Sequence, residues 1–360
     1  AWRNMKPHER ARILSRIAQG IDDNAERLAQ KQMLENGKVI GECRGQVASA
    51  AATFRYYAAV CETAESAVTP ARGDYLSMTV YEPMGVVAAI TPWNSPLTME
   101  AQKLAPAIAA GNAIVLKPSE VTSSPALDLG RICLEAGLPP GIVNVLAGTG
   151  RDVGVPLVKH PGVKMVSFTG GTATGRAIGM IAAEKLMPVA LELGGKSPHI
   201  VFADADLDAA LPFIVNAIIQ NCGQTCSAGS RVLVERGIYE DVISRLAARF
   251  TALQSGPPAL DLDMGPLVNA KQFDKVRDYV ARADREGVAV AARGHISPEA
   301  SPTGYYHEAV LLRDVPPASA LAQDEIFGPV LVVMPFEDEA EAVALANGTE
   351  YGLVAGVWTR

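Results

Sequence analysis

The chain is short of cysteine and lacks any regular cysteine spacing. Cys43, Cys61, Cys133, Cys222 and Cys226 show neither the paired motifs of a zinc site nor an ordered disulfide framework. No metal is therefore expected, and a reducing, cytoplasmic setting is. There is also no block of basic residues: the formal charge is −7, with both signs spread along the sequence. This argues against nucleic acid or an anionic membrane as principal partner and favours a small-molecule substrate. No apolar run reaches the ~20 residues that cross a bilayer. The opening residues Ala1-Trp2-Arg3-Asn4-Met5-Lys6 hold neither an apolar signal core nor an initiating methionine, so no signal peptide is expected and the true start is expected upstream. Internal repeats, low-complexity tracts and flexible linkers are missing too.

What is present is material for a large core: 360 residues, 49% of them hydrophobic. That size exceeds what single cores usually reach, so two domains are expected. Residues Glu9 to Ala29 and Gly41 to Ala64 carry apolar side chains at helical spacing. Asp74 to Tyr81 alternates in polarity and stops at Glu82-Pro83-Met84-Gly85, which predicts an exposed hairpin strand over about 74–82. Beyond it, β-rich runs alternate with Ala-rich helical stretches: Val86 to Ile90 then Met99 to Ala110, Ala113 to Leu116 then Ser124 to Ala136, Val143 to Leu146 then Val153 to Lys159, and Lys164 to Phe168 then Gly175 to Glu184. This order predicts βαβ units, a parallel sheet and a ligand at the carboxyl ends of its strands. A second αβ series follows from Asp206, and the domain boundary is expected near Leu193, giving 1–192 and 193–360. The final residues, Tyr351 to Arg360, look like a strand of the second domain, so the chain is expected to be a fragment or a naturally shortened form.

One strand-to-helix passage, Lys164 to Gly175, runs through Phe168-Thr169-Gly170-Gly171-Thr172. Adjacent glycines there leave backbone N–H groups free to face a pyrophosphate. It is not a GxGxxG fingerprint, and an ordinary strand-turn-helix is the alternative. Two further segments point to covalent chemistry. Glu192 follows the apolar run Val189-Ala190-Leu191 and precedes two glycines, a setting in which partial desolvation raises a carboxylate toward general-base use. Cys226 is surrounded by small or polar residues, Gly223, Gln224, Thr225, Ser227, Ala228 and Gly229. That suits a thiol on an accessible turn, activated by a helix N-terminus or a bound cation. A thiol holds an acyl group as a thioester and a carboxylate activates the water that releases it. Cys222 is the rival thiol and reads as packing, with a role as an oxidative partner also open.

Glu192-Leu193-Gly194-Gly195-Lys196 and Gly223-Gln224-Thr225-Cys226 resemble the two signature segments of the aldehyde dehydrogenase superfamily. Thr91-Pro92-Trp93-Asn94, Lys117-Pro118-Ser119-Glu120, the Phe168 to Thr172 segment and Glu325-Ile326-Phe327-Gly328-Pro329 resemble further motifs in the same order. The resemblance implies a Rossmann-like cofactor domain that includes an oligomerisation strand, a second α/β catalytic domain, and a homodimer or homotetramer. It implies Cys226 as nucleophile, Glu192 as base, Asn94 with the Cys226 N–H as oxyanion donors, and Lys103 near the glutamate, where a snorkelling surface lysine is the alternative.

For the cofactor it implies contacts from Ile90, Thr91, Pro92, Trp93, Lys117, Ser119, Glu120, Gly150, Phe168, Thr169, Gly170, Gly171, Thr174 and Leu193. Glu325 and Phe327 are implied at the nicotinamide end, where an acidic loop with a core phenylalanine would look similar. Gly171 departs from a common family version with serine there, which removes a hydroxyl contact to phosphate. Glu120 accepts from a free 2′-hydroxyl and repels a 2′-phosphate, which favours NAD over NADP. Ser95, Met99 and Gln102 stand where some relatives carry aromatics, which suggests a roomier entrance for the aldehyde. A CoA-acylating semialdehyde dehydrogenase is the neighbouring reading, against which Glu192 counts. A shortened, non-catalytic binding or structural form is the reading from a different class.

Overall fold

The computed structural model describes residues 2–70 and 73–360. Within it the chain forms two compact units: one of the chain up to Gln32 with Cys43–Glu192, the other of Met33–Glu42 with Leu193–Arg360.

In the first unit, β1 (Val86–Ile90), β2 (Ala113–Lys117), β3 (Val143–Val145), β4 (Val163–Thr169) and β5 (Val189–Glu192) make one parallel sheet in the order β3-β2-β1-β4-β5. Ala88 sits between Val115 and Val166 in register. The near-continuous apolar run of β1, buried from Val87 to Ile90, is what a strand covered on both faces requires. Helix Pro96–Ala109 joins β1 to β2, Ser124–Glu135 joins β2 to β3, and Thr172–Glu184 joins β4 to β5. The helix after β1 starts at Pro96, whose ring fits the first helical position, so it begins before the expected Met99.

Two expectations need correction here. The first amphipathic stretch is two helices, Pro7–Asp23 and Ala25–Asn36. Asn24 parts them: its amide donates to the Gly20 carbonyl at 2.8 Å, the local bond by which asparagine competes with helix. The segment 74–82 is not a regular strand. An antiparallel bridge pairs Val68 with Met78, flanked by Thr69 N–H to the Ser77 carbonyl (3.0 Å) and Thr79 N–H to the Ala67 carbonyl (2.7 Å), and Tyr75 is a further bridge residue. Tyr75, Leu76, Val80 and Tyr81 are exposed, so no buried face supports a longer ladder.

The second unit holds β6 (Pro198–Val201), β7 (Arg231–Glu235), β8 (Gln254–Ser255), β9 (Ala289–Arg293), β10 (His295–Ile296), β11 (Val310–Arg313), β12 (Val330–Phe336) and β13 (Gly356–Trp358). Six of them form a sheet in the order β13-β6-β7-β12-β11-β9, parallel except for β9 against β11, while β8 pairs with β10. Helix Leu207–Ile219 contributes Leu211, Ile214 and Ile218 to the same core as Val232, Leu233 and Val234 of β7. The buried Arg231 guanidinium donates to the carbonyls of Lys196 (2.7 Å), Leu345 (2.9 Å) and Ala346 (2.8 Å), capping the end of helix Glu339–Asn347. Among the described residues no helix is long and apolar enough to cross a membrane.

Candidate functional site

The strand order of the first sheet reverses between β1 and β4, and a doubly wound sheet opens a crevice beyond its carboxyl ends at that point. A cavity of about 310 Å³ lies there. Ile90, Thr91, Pro92 and Trp93 line it from the end of β1 onward, Lys117, Ser119 and Glu120 from the end of β2, and Phe168, Thr169, Gly170 and Gly171 from the end of β4, with Gly150 and Thr174 completing the polar part. These are the first-unit residues of the expected cofactor set. Sequence reasoning missed the apolar wall: Val155, Val158, Ala177, Ile178 and Ile181. The helical spacing of Ala177, Ile178 and Ile181 was the signal that could have found it.

The cavity presents uncovered hydrogen-bonding groups. Helix Thr172–Glu184 begins at Gly171 with no side-chain cap, which leaves its first N–H groups and positive dipole end uncovered. A Cβ on Gly171 would meet nothing within 4 Å, whereas one on Gly170 would lie 2.6 Å from the Phe168 ring. The hydroxyls of Thr91 and Thr169, both on the lining, are buried without a hydrogen-bond partner among the described residues. A buried hydroxyl left so costs about 1–3 kcal/mol, which a bound polar ligand would recover. Lys117 is buried; its ammonium donates to the Pro118 carbonyl at 2.7 Å and lies 3.5 Å from the exposed Glu120 carboxylate.

Lys103 is buried on helix Pro96–Ala109, which corrects the surface-lysine alternative. Its ammonium donates to the Ser167 hydroxyl at 3.0 Å, and burial lowers its pKa to about 8 against the opposing pull of Glu192. Glu192 is itself exposed at the end of β5, because strand alternation turns Ala190 and Glu192 to the same open face. Its exposure stands against the partial burial expected from its apolar neighbours. Asn94 is buried just after Trp93. Ser95 is buried as well, its hydroxyl accepting from Gln46 at 3.2 Å.

In the second unit, Cys226 is half-buried on a turn that leads into β7, and no helix starts at it. Of the other thiols, Cys43, Cys133 and Cys222 are buried. Burial pushes Cys133 up to about 12 and Cys222 further still, while Cys61 is also raised by burial. Before Cys226 the chain takes three left-handed residues, Asn221 (φ 50°), Cys222 (φ 54°) and Gly223 (φ 72°). The Cys226 carbonyl lies against Gly195, where a Cβ would come within 2.4 Å of the oxygen. Glu325 accepts from the Gly195 N–H at 3.1 Å and is raised by burial. Phe327 stands at φ 64° with its carbonyl held by the Gln272 amide at 2.7 Å, and Glu325 and Phe327 line a small cleft with Gly195, Gly223 and Thr225. Leu193 opens this unit as a partly buried residue.

The family model described as "Aldehyde dehydrogenase family" matches residues 1–360. The chain is 43% identical over 361 residues to a protein named betaine aldehyde dehydrogenase from Cereibacter sphaeroides, with 100% of this chain and 74% of that protein covered. It is 40% identical over 362 residues to a protein named aldehyde dehydrogenase from Aspergillus niger, covering 72% of it. The solved NAD+ complex of an aldehyde dehydrogenase from Bacillus cereus superposes with a TM-score of 0.96 at 40% identity, over 100% of this chain and 73% of that one.

Proposed function

The chain belongs to the aldehyde dehydrogenase family, and we propose that it oxidises an aldehyde to the carboxylic acid with NAD, by way of a thiohemiacetal and then a thioester on Cys226. The observation that carries this reading is the turn of Cys226. It is half-buried, while Cys222 nearby is buried with a raised pKa that keeps it a thiol.

In this reading the Cys226 thiolate adds to the aldehyde carbon, and the Asn94 amide with the Cys226 N–H donates to the oxyanion that forms. A bound nicotinamide dinucleotide supplies the hydride acceptor. Glu192 then takes a proton from water, whose oxygen attacks the thioester carbon and releases the acid and the thiolate. As an exposed carboxylate, Glu192 draws on solvent directly. Gly195, which packs on the Cys226 carbonyl, follows Glu192 by three residues. Lys103, held by Ser167, orients its ammonium in the first unit.

For the cofactor, Gly170, Gly171 and Thr174 take the pyrophosphate, Lys117, Ser119 and Glu120 the adenosine ribose, and Ile90 to Trp93, Gly150, Phe168 and Thr169 the surrounding walls. Leu193, Glu325 and Phe327 take the nicotinamide end. The cavity and its two unpartnered threonine hydroxyls support this placement, and NAD+ is bound to the Bacillus cereus relative. The exposed Glu120 carboxylate favours NAD over NADP. The exposed apolar segment around Tyr75 and Leu76 supports a homodimer or homotetramer in the full-length form, and the five irregularly spaced cysteines suit a cytoplasmic setting.

The test is NADH formation from a panel of aliphatic and aromatic aldehydes, with NAD against NADP and wild type against Cys226→Ser. NADH that disappears in Cys226→Ser supports the reading; equal rates in the two proteins refute it.

A further inference from the structure

We propose that Glu42, in the first turn of helix Ile40–Thr63, is a positioning residue that holds the Cys226 turn in its reactive conformation; the inference rests on Cys226 as the nucleophile. Glu42 is remote in sequence from that turn, and its action runs through the Asn221 backbone N–H.

Helix Leu207–Ile219 ends into three consecutive left-handed residues. Two of them, Asn221 and Cys222, carry a Cβ that makes this conformation unfavourable, so other bonds must hold it. Gly223 cannot relax either, since a Cβ there would lie 2.1 Å from the Gly328 carbonyl oxygen. Asn221 is buried, and its N–H has left the helical ladder. Both oxygens of Glu42 accept from it, each at 3.0 Å. A charged acceptor for a buried N–H is the stronger kind of hydrogen bond.

From Asn221 the restraint passes along the turn. The Asn221 amide donates to the Gln224 carbonyl at 3.1 Å, and the Gln224 amide donates back to the Asn221 carbonyl at 2.9 Å. The Gln224 amide oxygen accepts from the Val268 N–H at 2.9 Å. Cys226 follows two residues later, with its carbonyl against Gly195. Removing Glu42 frees the first link of this chain of bonds.

Glu42 is itself fixed. Its neighbour Gly41 donates its N–H to Asp261 at 2.7 Å, and Gly37 approaches Gly265 so closely that a Cβ on Gly265 would meet the Gly37 oxygen at 1.9 Å. Burial raises the Glu42 carboxyl above its ordinary value, with the Asp261 charge adding to this and the positive charge of Lys38 and the Asn221 N–H opposing it. The acceptor thus arrives on a segment with little freedom, as a positioning role needs.

The experiment compares the 360-residue chain with Glu42→Ala and Glu42→Gln by two readouts. One is the first-turnover NADH burst with saturating aldehyde, with KM for NAD. The other is iodoacetamide labelling of Cys222 and Cys133, followed by peptide mass spectrometry. The expected result is a burst slowed by about 10- to 100-fold in Glu42→Ala, the scale of a misplaced reacting group. Glu42→Gln, which keeps one acceptor oxygen, is slowed less, and KM for NAD is unchanged in both. Cys222 becomes labelled while Cys133, in the other unit, stays protected. A Glu42→Ala protein with wild-type burst and protected Cys222 overturns the proposal, and so does labelling of Cys133 together with Cys222, which would mean general unfolding. If wild type gives no Cys226-dependent burst, the nucleophile reading fails by itself, and the Cys222 labelling still decides whether Glu42 holds the turn.

Discussion

Gly195 lies so close to the Cys226 carbonyl that a Cβ at Gly195 would stand 2.4 Å from its oxygen. Real Cβ atoms do not come this near, so the two signature segments are bound by a contact that only glycine permits. Gly195→Ala must push the Cys226 turn aside. The expected outcome is a loss of about 100-fold in kcat, since small displacements of a reacting group have that effect. A lower melting temperature should accompany it, from overpacking of about 1–3 kcal/mol. Steady-state kinetics and thermal melts check both.

The two glycines after Phe168 should answer differently to the same substitution. Gly170→Ala drives a methyl into the Phe168 ring, which is buried and has little room to yield, while Gly171→Ala enters open space. Titration calorimetry with NAD should show weakened binding in Gly170→Ala. Gly171→Ala should bind more weakly only by as much as its methyl crowds the bound pyrophosphate, which makes the pair a direct probe of where the phosphates lie.

Glu120 is exposed and leans on Lys117 at 3.5 Å. Glu120→Gln removes the charge that repels a 2′-phosphate and leaves Lys117 free to attract one. The ratio of kcat/KM for NAD to that for NADP should fall by about tenfold, or ~1.4 kcal/mol, measured as initial rates with each cofactor. An unchanged ratio would mean that Glu120 does not read the ribose.

Much of this architecture is legible in the residues, and the failures have a common cause. Val86 to Ile90 and Lys164 to Phe168 are runs short enough and apolar enough to be buried strands, and the glycines at 170 and 171 mark the turn that follows. The thiol and its small neighbours likewise stand out locally. Side-chain environment is another matter. Glu192 looks desolvated beside Val189 and Leu191, yet strand alternation sends it to the open face. Lys103 looks like one more surface lysine until the packing of helix Pro96–Ala109 buries it. The placement of Met33–Glu42 in the second unit depends on Asp261 and Gly265, more than two hundred residues away, and no local pattern announces such a partner.

Lys103 titrates at about 8 in the folded chain, below its ordinary 10.5 because burial disfavours the charged form. Between those two values the unfolded chain keeps a proton that the folded chain has released, so stability rises with pH across the window, and the penalty is present in full below it. Lys103→Met lacks this dependence. Urea midpoints measured at about pH 7 and about pH 10 should show wild type gaining on Lys103→Met as the pH rises. A constant difference would contradict a buried, hydrogen-bonded Lys103.

The most direct test of the central claim is the pre-steady-state time course of Glu192→Gln with NAD and aldehyde. A division of labour between Cys226 and Glu192 predicts one NADH per active thiol in a rapid burst, followed by a stall as the thioester accumulates, with acylated Cys226 recovered in its peptide. Continued turnover at the wild-type rate, with no acyl group on Cys226, would contradict it.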